Sequence, residues 1–333
     1  MKFILTGLLT AILFLLNLFI GSVDIPAGDV LQILLGKADA NAAESFIVLG
    51  SRLPMALTAI FAGGGLAVGG LLLQTAFRNP LAGPSILGIS SGASLGVAAV
   101  MLLLGGGITA GSIVIGGYAA VIAGAFFGSI LVMGILILLS ALLRNDLMLL
   151  ITGIIIGYLV SSVIMLLNFS ATAEGVQSYV MWGMATFNGV STGQLPLFCG
   201  ITALGLLLAS ALTKPLDLML LGDSYARNLG VNLRVVRTIL LLSTGLLTAV
   251  ITAYCGPVSF IGLVVPHIAR MIFRTDIHRI MLPATILCGA CVALLCSLLC
   301  VLPSESVLPV NAVTPIVGAP VILYVIITRS RKG

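Results

Sequence analysis

Few residues in this chain are able to do chemistry, and their spacing limits what that chemistry is. Asp223 and Arg227 stand four apart within 221–231, so on a helix they share a face and can pair. Gly222, Asp223, Ala226, Arg227, Leu229 and Gly230 make a short polar island between two long apolar runs, and Gly230 supplies a helix stop. Such an island has to lie outside a bilayer, where it can receive a push from a soluble partner. Four of the six cysteines, Cys288, Cys291, Cys296 and Cys300, fall in one apolar run. On a helix their directions spread over about half the circumference, so they cannot converge on one metal ion. Cys296 and Cys300 do share a face, and burial as small apolar side chains accounts for the set. The two histidines are His267 and His278; no carboxylate shares the apolar run of His267, which reads as structural. No catalytic residue, metal site or cofactor is expected. The phosphate-loop pattern G-x-x-x-x-G-K-[ST] is absent, so if ATP drives this protein another chain must hydrolyse it.

The elements that carry these residues follow from composition. Of 333 residues 60% are apolar and 8% charged, with a mean hydropathy of +1.27. Soluble domains carry about 25% charged residues, so the expected class is an all-α polytopic membrane protein. Residues 53–77, 79–143, 147–173, 280–304 and 306–328 contain no Asp, Glu, Lys, Arg or His. A crossing takes about 20 apolar residues. Spans are expected near 3–21, 53–73, 86–104, 113–142, 146–168, 194–212, 236–254, 258–273, 280–301 and 310–328. The count of about ten carries an uncertainty of one or two, because Gly256-Pro257 can bend the chain inside the membrane. The first run is long for a signal-peptide core and is expected to be an uncleaved span.

Every Lys and Arg except Lys37 and Arg52 then falls on one side, which the positive-inside rule makes cytoplasmic, with both termini there. The net charge of +5 reflects insertion and not a nucleic-acid surface. The chain reads as one membrane domain over 1–333, with its cytoplasmic island in segment 213–234. Loop 22–52 is external and acidic, and loop 169–193 carries Trp182, the only tryptophan, suited to a helix at the lipid headgroups. Spans 2–5 and 7–10 can be read as an inverted repeat, each set beginning after a basic residue and meeting a break, at Asn79-Pro80 or Gly256-Pro257.

The segment from Gln74 through Asn79 and Pro80 to Ser90, Ser91 and Gly92 combines a double proline break with small residues. Non-helical backbone at membrane depth is tolerated against protein or a water-filled path. The segment therefore reads either as a tight hairpin with ordinary packing or as part of a translocation path near a cytoplasmic gate.

These motifs together resemble the iron-chelate permease family of type II ATP-binding-cassette importers, which move iron-siderophores, haem and cobalamin. The matching residues are Arg52-Leu53-Pro54, Arg78-Asn79-Pro80-Leu81-Ala82, Leu87 to Ala93, the Gly222–Val231 island, Phe260 to Arg270, Asp276 with His278-Arg279, and Gly318-Ala319-Pro320. The resemblance covers nearly the whole chain. It implies a homodimer with a central pathway between two copies, sitting with membrane lipid in the bacterial inner membrane. A cytoplasmic ATPase homodimer is expected on helix 222–231, and a periplasmic or lipid-anchored substrate-binding protein on the outer face. The chain itself would not be an enzyme.

Departures from the family pattern are specific. Met55 stands where a second arginine is usual, and Cys296 and Cys300 stand where an Asp and an Arg are common. Asn311 replaces a glycine, Gly83 an aspartate, and Glu305 lies two residues before Val307, where the glutamate is expected. In some relatives outward arginines meet carboxylates of the binding protein; here Arg52, with Lys37 and Glu305, is the expected docking set. The alternative function is an ion-coupled secondary transporter of a small solute. Such transporters place ionisable groups inside spans, and these spans hold almost none.

Overall fold

The computed structural model describes residues 1–36, 42–110, 113–143, 146–302 and 307–330. Helix α1 (Lys2–Phe19) is followed by the short α2 (Ala27–Leu34) and α3 (Ala42–Ile47). A π-helical turn, Val48–Arg52, joins α3 to α4 (Leu53–Ala76), so an apolar helix runs from Ala42 to Ala76. The chain then turns irregularly through 77–88, as the two prolines require. Helix α5 (Ile89–Ala98) follows, prolonged by a π-helical turn to Leu103. A two-stranded antiparallel ribbon, β1 (Gly107–Ala110) and β2 (Ile113–Gly116), comes next, with Gly107 opposite Gly116. The expected span at 113 therefore begins later, with α6 (Gly117–Leu142), and among the described residues this short ribbon is the one strand pair beside the helices. Glycines at 105 and 106 with φ of 62° and 85° make the turn into it.

Helices α7 (Asp146–Ser170), α8 (Ala173–Gly183), α9 (Leu195–Ala211), α10 (Thr213–Leu220), α11 (Asp223–Asn228), α12 (Leu233–Cys255), α13 (Ile261–Phe273), α14 (His278–Val301) and α15 (Val310–Ser330) complete the order. Among the described residues six helices are long and apolar enough to cross a membrane: α1, Ala42–Ala76, α6, α7, α12 and α14. Helices α9 and α10, bent by 48°, make a seventh as a pair, and α5, α13 and α15 are shorter apolar helices. Every expected span coincides with one of these, although three fall short of a full crossing. The break expected at Gly256-Pro257 is there: α12 stops at Cys255 and α13 starts five residues after Gly256.

Packing is symmetric in pattern. Helix α4 lies on α14 and α13, α12 lies on α6 and α5, and α4 and α12 pack on each other. Within the first set α5 packs on α6 and α7; within the second α13 packs on α14 and α15. This is the arrangement an internal repeat of spans 2–5 and 7–10 calls for. Helices approach to backbone contact in both halves. A Cβ at Gly63 would stand 2.3 Å from the Gly289 carbonyl of α14, and one at Gly96 would stand 1.9 Å from the Gly124 carbonyl of α6. In a bilayer, where apolar burial does not drive helix association, such close contact supplies the attraction. Helices α4, α12 and α14 are largely buried, while α7 presents Tyr158, Leu159, Met165, Leu166 and Phe169 outward, as a lipid-facing helix does.

The two ends differ in chemistry. One, the basic end, gathers Lys2, Arg78, Arg237 and Arg270; the Lys2 ammonium donates to the Phe273 carbonyl at 3.4 Å, placing the start of α1 there. The opposite end holds Arg52, α8 and the start of α15.

Candidate functional site

The polar island folds as expected. Gly222 (φ 116°) leads into α11 and Gly230 (φ 84°) ends it, both in backbone regions that favour glycine. Ala226 is buried, and Leu216 and Met219 of α10 are buried below it, so the island is seated on the bundle and not tethered loosely. Tyr225 and Leu229 stay about half exposed, giving α11 an apolar outer face.

The charge pairing differs from the local expectation. Asp223 is gripped by Arg78, just after α4, and by Arg237 Nη2 in α12 at 3.2 Å, instead of by Arg227. Arg78 also donates to the Met219 carbonyl at 3.4 Å, and it holds φ at 45°, an uncommon backbone for a side-chain-bearing residue. Arg227 instead faces a cavity shared with Arg234 and Arg237. The island is thus joined to both central helices through one carboxylate.

A second link lies beside it. Asp217 of α10 accepts from the His278 backbone N–H at 2.8 Å and from His278 Nδ1 at 2.7 Å, capping the N-terminus of α14 with a negative charge. His278 Nε2 lies 2.9 Å from Thr75 Oγ1 in α4. A third link uses Gln74, whose amide donates to the Leu263 carbonyl at 3.0 Å and accepts from Arg270 Nη1 at 2.7 Å. Arg270 Nε reaches Asp276 at 3.2 Å, and His267 Nε2 donates to the Pro80 carbonyl at 2.8 Å. A cavity of about 240 Å3 opens between Gln74, Arg78, Pro80, Leu220, Arg270 and Asp276.

Of the expected path residues, Gln74, Asn79 and Pro80 stand in this network, with Asn79 Oδ1 accepting from the Leu81 N–H at 2.9 Å. Ser90, Ser91 and Gly92 lie apart on α5; Gly92 is buried against Gly128 of α6, and the two serines are half-buried. Asp217, Arg237, Arg270 and His278 are members that local spacing does not reveal. One signal was present: Asp217, Asp223 and Asp276 are the only carboxylates between 213 and 279, in a stretch rich in arginine.

At the opposite end Arg52 is buried, 3% exposed, and its guanidinium donates to the carbonyls of Leu18 and Phe19 at 2.9 Å each and of Val23 at 2.5 Å. It caps the C-terminus of α1, with its charge turned into the protein. Lys37 and Glu305 lie outside the described residues. Asn311 explains its own departure from the family pattern. Its amide donates to the carbonyls of Gly183 (3.0 Å) and Pro257 (2.7 Å), and its Oδ1 accepts from the Ser259 N–H and hydroxyl at 3.1 Å each. One side chain thereby ties α8, the α12–α13 break and α15. Cys288, Cys291, Cys296 and Cys300 are buried in α14, and Cys291 meets the Thr10 hydroxyl at 3.0 Å.

Comparison with known proteins follows the same outline. A family model described as the FecCD transport family matches residues 9–328. The vitamin B12 import system permease protein BtuC of Klebsiella pneumoniae is 32% identical over 327 residues, 98% of this chain and 93% of that protein. Its counterpart from Salmonella paratyphi A is 33% identical over 287 residues, covering 84% and 83%. A solved inward-facing conformation of a metal-chelate type ABC transporter matches with a TM-score of 0.84 at 27% identity, over 97% of each chain. PsaBC from Streptococcus pneumoniae matches with a TM-score of 0.51 at 16% identity, a likeness of fold alone.

Proposed function

From the premise that the chain belongs to the FecCD transport family, of which it is an ATP-binding-cassette importer permease subunit, we propose how it works and what it carries. Its basic end faces the cytoplasm of a bacterial cell, with both termini on that side, in the inner membrane. Two copies enclose the pathway. A separate ATPase homodimer docks on α11, and a substrate-binding protein docks on the opposite end. The chain performs no covalent chemistry; it converts a push on α11 into movement of the helices that line the path.

The observation that carries this reading is the double grip on Asp223. Arg78 lies two residues beyond the end of α4 and Arg237 belongs to α12, the two helices at the centre of the fold. Displacement of α11 is therefore passed to both at once, and through Arg78 to the Asn79-Pro80 break. The Asp217–His278–Thr75 and Gln74–Arg270 links give the same end of α4 two more attachments, to α14 and α13. Gln74, Asn79 and Pro80 are then gate residues, with Ser90, Ser91 and Gly92 further along the path.

The cargo is a large metal chelate: cobalamin, haem or a ferric siderophore. The metal is held by the chelate and travels as cargo. Two relatives are named for vitamin B12 import, and that likeness supports ranking cobalamin first among these. The test reconstitutes this chain with its ATPase in lipid nanodiscs and adds binding proteins loaded with each chelate. Stimulation of ATP hydrolysis by one loaded binding protein supports the reading and names the cargo. Uptake that persists with no ATPase present contradicts it and favours an ion-coupled transporter.

A further inference from the structure

The arginines of the island leave one feature that the coupling role does not use. Arg227 of α11, Arg234 and Arg237 of α12 and the 231–233 link line a cavity of about 510 Å3 together with Ser140 and Leu143 at the end of α6. Arg237 is held by Asp223, and Asp223 is also held by Arg78. Three guanidinium groups thus face one space, and Asp223, the carboxylate among the described residues that pairs with Arg237, also serves Arg78. The first turn of α12 opens on the same space, with Asn232 Oδ1 accepting from the Val235 N–H at 3.3 Å, so a helix N-terminus adds to the positive potential.

The cavity sits where α6 ends and α12 begins. Apolar surface leads away from it toward the membrane interior: Leu138 and Leu142 on α6 are 69% and 75% exposed, and Val235 on α12 is 50% exposed. We propose that this cavity binds the phosphate of an anionic phospholipid, with Arg227 and Arg234 forked on the phosphate oxygens and the acyl chains lying along α6 and α12. Arginine matches phosphate bidentately, and basic pockets between membrane helices at the cytoplasmic side take anionic headgroups. The lipid would brace α11 against the end of α6, so the coupling element is seated partly on the bilayer itself. The inference rests on the basic end lying at the inner leaflet and is independent of the cargo.

The test is native mass spectrometry of the permease–ATPase complex taken from vesicles of mixed phosphatidylglycerol and phosphatidylcholine. Phosphatidylglycerol is expected to stay bound in preference to phosphatidylcholine. Arg234→Ala, an exposed position, should lower that retention about fivefold, the worth of one arginine near an anionic surface at roughly 1 kcal/mol. Arg234→Lys should recover part of it. Equal retention of both lipids, or retention unchanged in Arg234→Ala, overturns the proposal. So does displacement of the lipid by excess inorganic phosphate, which would make free phosphate the ligand. Loss of the ATPase from Arg234→Ala with lipid retention intact makes the cavity a protein contact instead. Because ATPase association is read in the same spectrum, failure of the lipid site and failure of the importer reading give different results.

Discussion

Asp223 is the hub of the proposed coupling, because one carboxylate joins the island to two central helices. Its contribution to folding is small. The Arg78 side chain is 52% exposed and that of Asp223 26%, and pairs this exposed are worth about 0.2–1 kcal/mol after screening. Asp223→Ala should therefore leave the thermal unfolding of the purified permease nearly unchanged. Uptake, by contrast, should fall by about 5- to 150-fold, the range of a typical coupling energy, while ATP hydrolysis continues. Measuring uptake and hydrolysis on the same vesicles checks this. Arg52 has the opposite balance. It is buried and satisfies three carbonyls at the end of α1, so its removal strands buried acceptors. Arg52→Ala should cost about 2–3 kcal/mol, seen as a lower unfolding midpoint in detergent, with Arg52→Lys intermediate. If Arg52 also docks the binding protein through its charge, that affinity loses salt dependence in the mutant; an unchanged salt dependence leaves it as a helix cap alone.

At the scale of elements, the fold depends on helices that touch through their backbones. Gly63→Leu would drive a side chain into the Gly289 carbonyl of α14, and neither backbone can yield without moving a whole helix. It should destabilise the protein by at least about 1–3 kcal/mol, measurable as lost expression and a lowered unfolding midpoint. Asn311→Ala should loosen the opposite end in a different way. It frees the Gly183 and Pro257 carbonyls and the Ser259 hydroxyl at once, so hydrogen exchange should rise at the α12–α13 break and the start of α15 while α4 stays protected. The elements themselves were legible in the sequence because a bilayer enforces runs of apolar residues and punishes polar backbone. Gly222 and Gly230 bounded α11 correctly, and Gly256-Pro257 marked a real break. The ribbon at 107–116 was hidden, since its residues are as apolar as those of a span. The partners of Asp223 were hidden for another reason. Helical spacing offers Arg227 as a neighbour, but the partners Arg78 and Arg237 lie 145 and 14 residues away, and the packing of α4, α11 and α12 brings them there. Asn311 likewise read as a bare departure from a pattern; its four hydrogen bonds exist only once three separate segments meet.

For the whole molecule, charge and packing describe the same object. The basic end collects the cations, the carboxylates between 213 and 279 are each held by a cation or histidine there, and the repeated packing of α4–α7 and α12–α15 leaves α4 and α12 back to back in the middle. In the proposed coupling, a push applied at α11 reaches that central pair through the ion pairs of Asp223. Orientation follows from the same asymmetry: a cysteine placed at Arg227 should react with a membrane-impermeant thiol reagent only from the cytoplasmic side, after the native cysteines have been blocked or replaced. Labelling from outside would invert the topology.

The most direct test is a double-mutant cycle on Arg78 and Asp223 in reconstituted vesicles containing the ATPase and the loaded binding protein. The quantity to read is cargo moved per ATP hydrolysed. The account predicts that Arg78→Ala and Asp223→Ala each lower this ratio strongly, and that the double mutant is no worse than the poorer single mutant, because both break one link. If the two losses simply multiply, or if either mutant transports with wild-type yield, the push does not travel from α11 to α4 through this pair.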